Sequence, residues 1–302
     1  MWGRIVPAVS CIVLTGACAD TGAATIEALC DGATVREIGQ LDGSGPAEAS
    51  GLAVSRSEPD VLWTHNDRGN PAELHAVTVS GEVLGAWPVA GIDNIDWEDL
   101  SITGGGLLVI ADIGDNGQRR PSVLAHAVVE PDLTRPPENV ELTTTVEWTY
   151  PDGPHDAEAL MIDPRMGQAA VVTKGEDAEL YVTAGPALDD EVLDEEALSD
   201  DEADGDPEVL LRVGTIWEGV EVTAGAISPA GRLLALRTTE QLRVWQIGDG
   251  PLDQMPSWPS CRLDLDQKRG EGLAFVDAER LVAIGEGKTS NIIEITLPPS
   301  EN

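Results

Sequence analysis

The chain has 302 residues, with 54 Asp and Glu against 18 Lys and Arg, a formal net charge of −36. That charge argues against nucleic acid and anionic membrane surfaces as partners, since both are held by Lys and Arg that displace counterions; it favours metal cations or cationic ligands, or simply solubility in salt. Hydrophobic residues make up 42%, too many for global disorder, and 32 Gly with 20 Pro favour turns over long helices.

Residues 1–18 open with Met1-Trp2-Gly3-Arg4 and continue into thirteen uncharged residues that end at Ala17. One positive charge, a short apolar run and small residues before a cleavage point make an export signal. The run is too short to span a bilayer, which takes about 20 residues. Leu14-Thr15-Gly16-Ala17-Cys18 resembles a bacterial lipobox, so Cys18 is expected to be lipidated and to become the mature N-terminus. Thr15 stands where a large aliphatic residue is usual, which leaves plain secretion as the alternative. An extracytoplasmic protein is expected, touching the membrane only through its lipid, with residues 19–32 as a tether. Cys11 leaves with the signal. Cys30 and Cys261 then remain, either as a disulfide, which an oxidising compartment permits, or as two buried thiols.

From residue 50 one pattern recurs: a small or acidic residue, an apolar run, turn residues, a second apolar run. The copies lie at 50–67, 98–116, 158–177, 224–240 and 271–288, with Leu52, Leu100, Leu160, Ala226 and Leu273 in register. Each reads as a hairpin of two short strands. Further strand-like runs follow at 73–79, 122–129, 179–184, 241–247 and 291–297. Fourth strands are expected at 82–89, 140–150, 208–214 and 261–265. Four strands in each unit of about 40–60 residues describe a β-propeller blade. The expectation is one all-β domain over 33–298, a five-bladed propeller, with six blades as the alternative if 183–214 holds further strands. The fifth unit has three strands, and the run 34–41 is a strand without a partner. It would complete the last blade and close the ring. Closure also brings Cys30 near Cys261, which favours the disulfide. Residues 189–208 carry 12 acids and no base, and are read as an inserted surface loop.

In a propeller the innermost strand begins, and the second ends, on the same face of the ring. That face gathers Glu98, Glu158 and Glu271 around one axis, with Asp67, Asp115, Lys174, Arg237 and Lys288 at second-strand ends and Asp96, His155 and Asp156 just before inner strands. Two carboxylates about 5 Å apart repel by roughly 3 kcal/mol at an effective dielectric near 20. They must be protonated, be paired with bases, or hold a cation. Ca²⁺ suits such oxygen ligands; zinc suits them less, with only His65 and His155 nearby. Alternatively, each Glu knits neighbouring blades together. Glu98, Glu158 and Glu271 are therefore the expected Ca²⁺ ligands. Lys174, Arg237 and Lys288 are the expected binders of an anionic small molecule, and Asp67, Asp115 and His155 the candidate bases.

The segments 62–77, Asp96-Trp97-Glu98-Asp99, 111–131 with its Asp-Ile-Gly-Asp-Asn, 150–160, 222–238 and 269–275 resemble a bacterial family of exported β-propellers. The resemblance covers nearly the whole mature chain except the acidic insert, and implies a propeller and export. Calcium-activated nucleotidases and calcium-dependent propeller phytases are similar in architecture only. Two functions are expected to compete: a calcium-dependent hydrolase of a phosphorylated or other anionic small molecule, and a non-catalytic module that binds a glycan, peptide or protein of the cell envelope. A monomer is expected.

Overall fold

The computed structural model describes residues 25–58, 60–188, 206–267 and 269–299. The described chain enters through a helix, α1 (Ile26–Asp31), and a strand, β1 (Thr34–Gln40). The first blade follows as β2 (Ala49–Val54), β3 (Val61–Asn66), β4 (Glu73–Thr78) and β5 (Val83–Pro88). The second is β6 (Trp97–Ile102), β7 (Leu107–Asp112), β8 (Val123–Val129) and β9 (Leu142–Thr149). The third begins with β10 (Ala157–Ile162), β11 (Gln168–Thr173) and β12 (Asp177–Pro186); after a two-residue strand, β13 (Glu208–Val209), it ends with β14 (Leu211–Glu218). The fourth is β15 (Ala224–Ile227), β16 (Leu233–Arg237), β17 (Gln241–Gln246) and β18 (Ser260–Asp264). The fifth is β19 (Gly270–Phe275), β20 (Arg280–Gly285), β21 (Asn291–Thr296) and, from the other end of the chain, β1.

The inner strands pack in a closed cycle, β2 on β6, β6 on β10, β10 on β15, β15 on β19 and β19 back on β2. Five blades therefore complete the ring, and the six-bladed alternative is set aside. Neighbouring blades cover both faces of the first two strands of each sheet. That is why β3, β7, β10 and β11 are buried at every position, with apolar residues making up most of β7, β10 and β11. The outer strands have one wet face, and β5 alternates accordingly.

Buried polar side chains tie the blades together where the inner strands crowd. Asp99 of β6 has no exposed surface and accepts three N–H bonds: from Leu100 at 2.8 Å, from Leu160 in the third blade at 2.9 Å and from Gly225 in the fourth at 3.3 Å. Ser50 donates to the Glu98 carbonyl at 2.6 Å, and Thr223 to the Gly270 carbonyl at 2.7 Å, each joining one blade to the next.

Ring closure follows the expected route. β1 pairs antiparallel with β21, Val35 opposite Ile295, and Cys30 is bonded to Cys261 across 231 residues of sequence. Two local features depart from the sequence expectation. Residues 26–31, expected in a tether, form a helix whose Ile26, Leu29 and Cys30 are buried in one apolar cluster with Leu242, Val244 and Cys261 of the fourth blade. The fourth strand expected at 208–214 divides: Glu208-Val209 runs parallel to β9 of the second blade, and Leu211–Glu218 forms the outer strand of the third. The short crossing covers the open edge of β9, with the Leu210 N–H donating to the Thr149 carbonyl at 2.9 Å. Residues 189–205 of the acidic insert, and Cys18, lie outside the described residues.

The disulfide joins the helix that precedes the closing strand to the adjacent blade, so it restrains the ring where the chain ends meet. Replacing both Cys30 and Cys261 by Ser should lower unfolding free energy by about 2–5 kcal/mol. Urea unfolding measures this; an unchanged midpoint would show that β1 closes the ring without help.

Candidate functional site

The mouth of the ring is built by backbone irregularities. In β6 the register passes from Trp97 opposite Asp112 to Asp99 opposite Ala111, so Glu98 has no partner. Glu158 is skipped in the same way between Ala157 and Ala159, and Glu271 between Gly270 and Gly272. Each of the three is the extra residue of a β-bulge, which bends the strand and re-aims a side chain. β15 pairs with β16 without a shift, and the fourth blade carries Ala224 at the corresponding place.

Glu98 and Glu158 are 4% and 3% exposed; Glu271 is half-buried. They line a basin of about 180 Å³ with Glu48, Ser50, Asp67, Asn116, Lys174 and Glu286. One oxygen each from Glu98, Asp156 and Glu158 lies within 4.8 Å of the others, as does one each from Asp67, Asp96 and Glu98. Glu271 belongs to neither set. The predicted trio of glutamates is thus split: Glu98 and Glu158 converge with Asp156, while Glu271 faces the same basin from the side.

Charge governs this region. Burial, then the nearby Glu158, Asp67 and Asp96, hold Glu98 well above the usual carboxylate range. Burial pushes Glu158 up to about 8, although Lys174 Nζ donates to its Oε1 at 2.5 Å. Burial also pushes Glu271 up to about 7, and raises Asp67 and Asp96. Burial disfavours the Lys174 ammonium, yet the Glu158 carboxylate holds its pKa above the ordinary lysine value. The opposite mouth is unlike this one: a cavity of about 90 Å³ lined by Leu52, Leu100, Ile162, Leu273 and Phe275 among others.

The remaining predicted residues do not line the basin. Asp115 is buried beside it: its N–H donates to Asp156 Oδ1 at 2.7 Å, and its Oδ2 accepts from the N–H groups of Arg119, at 2.5 Å, and Arg120, at 2.6 Å. His155 stands in a separate group, its Nε2 3.0 Å from Asp152 Oδ1 and 2.8 Å from the Tyr181 hydroxyl. Arg237 has no exposed surface. It donates to Gln267 Oε1 at 3.0 Å and to the Gly272 carbonyl at 3.1 Å, and burial lowers its pKa to about 10. It turns inward because Gly270 leaves room: a Cβ there would lie 1.4 Å from Arg237 Nη2. Lys288 is exposed and is not among the residues lining the basin. His65 is fully buried, with its ring nitrogens 3.1 and 3.2 Å from the carbonyl oxygens of Asn66 and Asp99.

Asp96 and Asp156 are members that position in the sequence did not single out as ligands. Their signal was proximity to the inner strands. Gly114, in Asp-Ile-Gly-Asp-Asn, has a role visible only in three dimensions: a Cβ would lie 2.3 Å from Glu98 Oε1 and 2.6 Å from Asp96 Cγ. The glycine makes room for the acid pair.

No family model matches the chain, and no curated sequence does. Solved structures similar to it include a gluconolactonase, XC5397, from Xanthomonas campestris, at 12% identity over 90% of this chain and 92% of that one, with TM-score 0.50. Another is a PQQ-bound aldose sugar dehydrogenase from Streptomyces coelicolor, at 11% identity over 88% and 98%, with TM-score 0.48. At such identity the likeness is one of propeller fold. The motif resemblance to exported bacterial propellers gains no support from a family match.

The raised glutamates make stability depend on pH. The folded chain keeps protons on Glu158 and Glu271 between the ordinary value of 4.5 and about 8 and 7, where the unfolded chain has released them. In chelator, stability should therefore fall as pH rises through this window, by about 1.4 kcal/mol per pH unit for each proton held. Glu98→Gln should flatten the slope and stabilise the cation-free protein at its alkaline end. Urea unfolding across the pH series checks both, and a profile that rises toward alkaline pH would contradict them.

Proposed function

We propose that the chain is an exported, Ca²⁺-dependent hydrolase that acts on a small anionic molecule at the propeller mouth. The observation that carries the reading is the buried Glu98–Asp156–Glu158 set, opening on a basin that also holds Lys174 and Glu271. Three oxygens within 4.8 Å of one another fit the surface of a single ion, because Ca²⁺–oxygen bonds are about 2.4 Å long. The set offers oxygen alone, which suits a hard cation. Export is supported by the N-terminal pattern and by the Cys30–Cys261 disulfide, a bond that persists in oxidising compartments; lipidation at Cys18 rests on the pattern at 14–18.

Glu98, Asp156 and Glu158 would hold the ion, which when bound polarises an oxygen of the scissile group. Glu271 is free of the donor sets, and a carboxyl near pKa 7 both accepts and returns a proton at neutral pH. It takes a proton from water as the water oxygen bonds to the phosphorus or carbonyl carbon. The leaving oxygen departs and recovers that proton. Lys174, with 34% of its side chain exposed, supplies counter-charge to the oxyanion. A second reading, a binding module for an anionic envelope component, is favoured by one feature: Ser50, the hydroxyl in the basin, is committed to a backbone carbonyl rather than to a base.

Thermal unfolding of the mature protein with Ca²⁺ and with chelator tests the ion. At 100 times its Kd a ligand adds about 2.7 kcal/mol, and Glu158→Gln should abolish the gain. Turnover on phosphoester and lactone panels tests the hydrolase: chelator should stop it. Glu271→Gln should lower kcat by about 10²- to 10⁴-fold while leaving the Ca²⁺ shift in place. A Ca²⁺ shift without turnover leaves the binding module; no shift in either protein removes the ion.

A further inference from the structure

We propose that the mouth seats two divalent cations bridged by Glu98, the second held by Asp67 and Asp96. This rests on the one-ion reading above and extends it. The acids of the mouth fall into two donor sets that share Glu98, each with its oxygens within 4.8 Å of one another. Each set fits around one ion. Glu98 has two oxygens and can give one to each side, as bridging carboxylates do in two-metal sites.

Asp96 is the independent sign that the second set is a seat for a ligand. It is 5% exposed, and its Oδ1 is buried with no hydrogen-bond donor. An ionised carboxylate oxygen left so is costly unless something positive faces it. The nearest base, Arg68, keeps its Nε 3.8 Å away and half its side chain in water. The Asp96 backbone is pinned on both sides, which fixes where its side chain starts. Its N–H donates to Asp112 Oδ1 at 3.2 Å, and its carbonyl accepts from the Gly114 N–H at 3.0 Å. Asp112 is itself fixed by Arg120, whose Nη1 donates to its Oδ1 at 2.6 Å. The absent Cβ of Gly114 leaves space beside both Asp96 and Glu98.

The test is the number of Ca²⁺ ions bound per chain, by equilibrium dialysis of the folded mature protein after removal of metal by chelator. High KCl screens ions held loosely by surface acids. Wild type should bind two tightly, Asp96→Asn one, and Glu98→Gln should lose at least tenfold in affinity for both. Asp67→Asn, at a less buried position, should also bind one and serves if Asp96→Asn does not fold. One ion in wild type overturns the pair and leaves the one-ion reading standing. Two ions in a folded Asp96→Asn or Asp67→Asn variant overturn the placement of the second. None in wild type removes both readings together.

Discussion

Like charges that the ring forces together set the terms for the rest of this molecule. Five inner strands converge on one axis; four of them bulge near the point where they enter the ring, and three of those bulges present a glutamate. Because blades pack face to face, the acids are pressed into a region with little water, where repulsion is strong and burial itself opposes ionisation. The surroundings answer that repulsion in visible ways. Lys174 reaches Glu158, and the Glu98 carboxyl lies against a residue with no side chain.

A ring carrying such a load must be held shut by other means, and the closures are of three kinds. Apolar clusters fill the spaces between adjacent sheets, as where Trp63, Trp97 and Leu100 bring the first blade against the second. Asp99 gathers backbone N–H groups from three blades, so its buried carboxyl is paired on both oxygens. The chain ends are joined by β1 and by the Cys30–Cys261 bond. The acids gather at one mouth, while the cavity at the other is lined by Leu52, Leu100, Ile162 and Phe275 beside Ser55, Arg56 and Ser101, so the two ends of the tunnel differ in charge although the blades that form them are alike.

Much of the fold was legible because a hairpin repeat advertises itself: apolar runs of strand length, broken by residues that turn, recur with a leucine or alanine in register. The partnerless run at 34–41 announced the closure, and closure announced the disulfide. The departures have local causes. Leu210 crosses from one blade edge to the next, an arrangement of backbone pairing that no side-chain pattern records. At the site, equivalent positions in the repeat placed Glu98, Glu158 and Glu271 at one mouth. Their separation into ligand sets and a lone Glu271 depends on Asp67, Asp96 and Asp156, which come from loops whose course the repeat does not define. Arg237 was expected at the rim with Lys174 but lies inside, drawn by the space above Gly270, a residue 33 positions away in sequence. His155, also at a strand entrance, sits with Asp152 and Tyr181 because the loop before β10 carries it away from the axis.

The most direct test of a cation at this mouth is a crystal of the mature protein grown with an anomalously scattering divalent ion such as Mn²⁺ at an oxygen site. A cation at this mouth should give an anomalous peak within bonding reach of Glu98 and Glu158, with Lys174 Nζ displaced from the 2.5 Å contact it makes without metal. A well-ordered mouth without such a peak, with Lys174 still on Glu158, would mean that protons and one lysine balance the acids. The propeller would then be a scaffold without a metal centre.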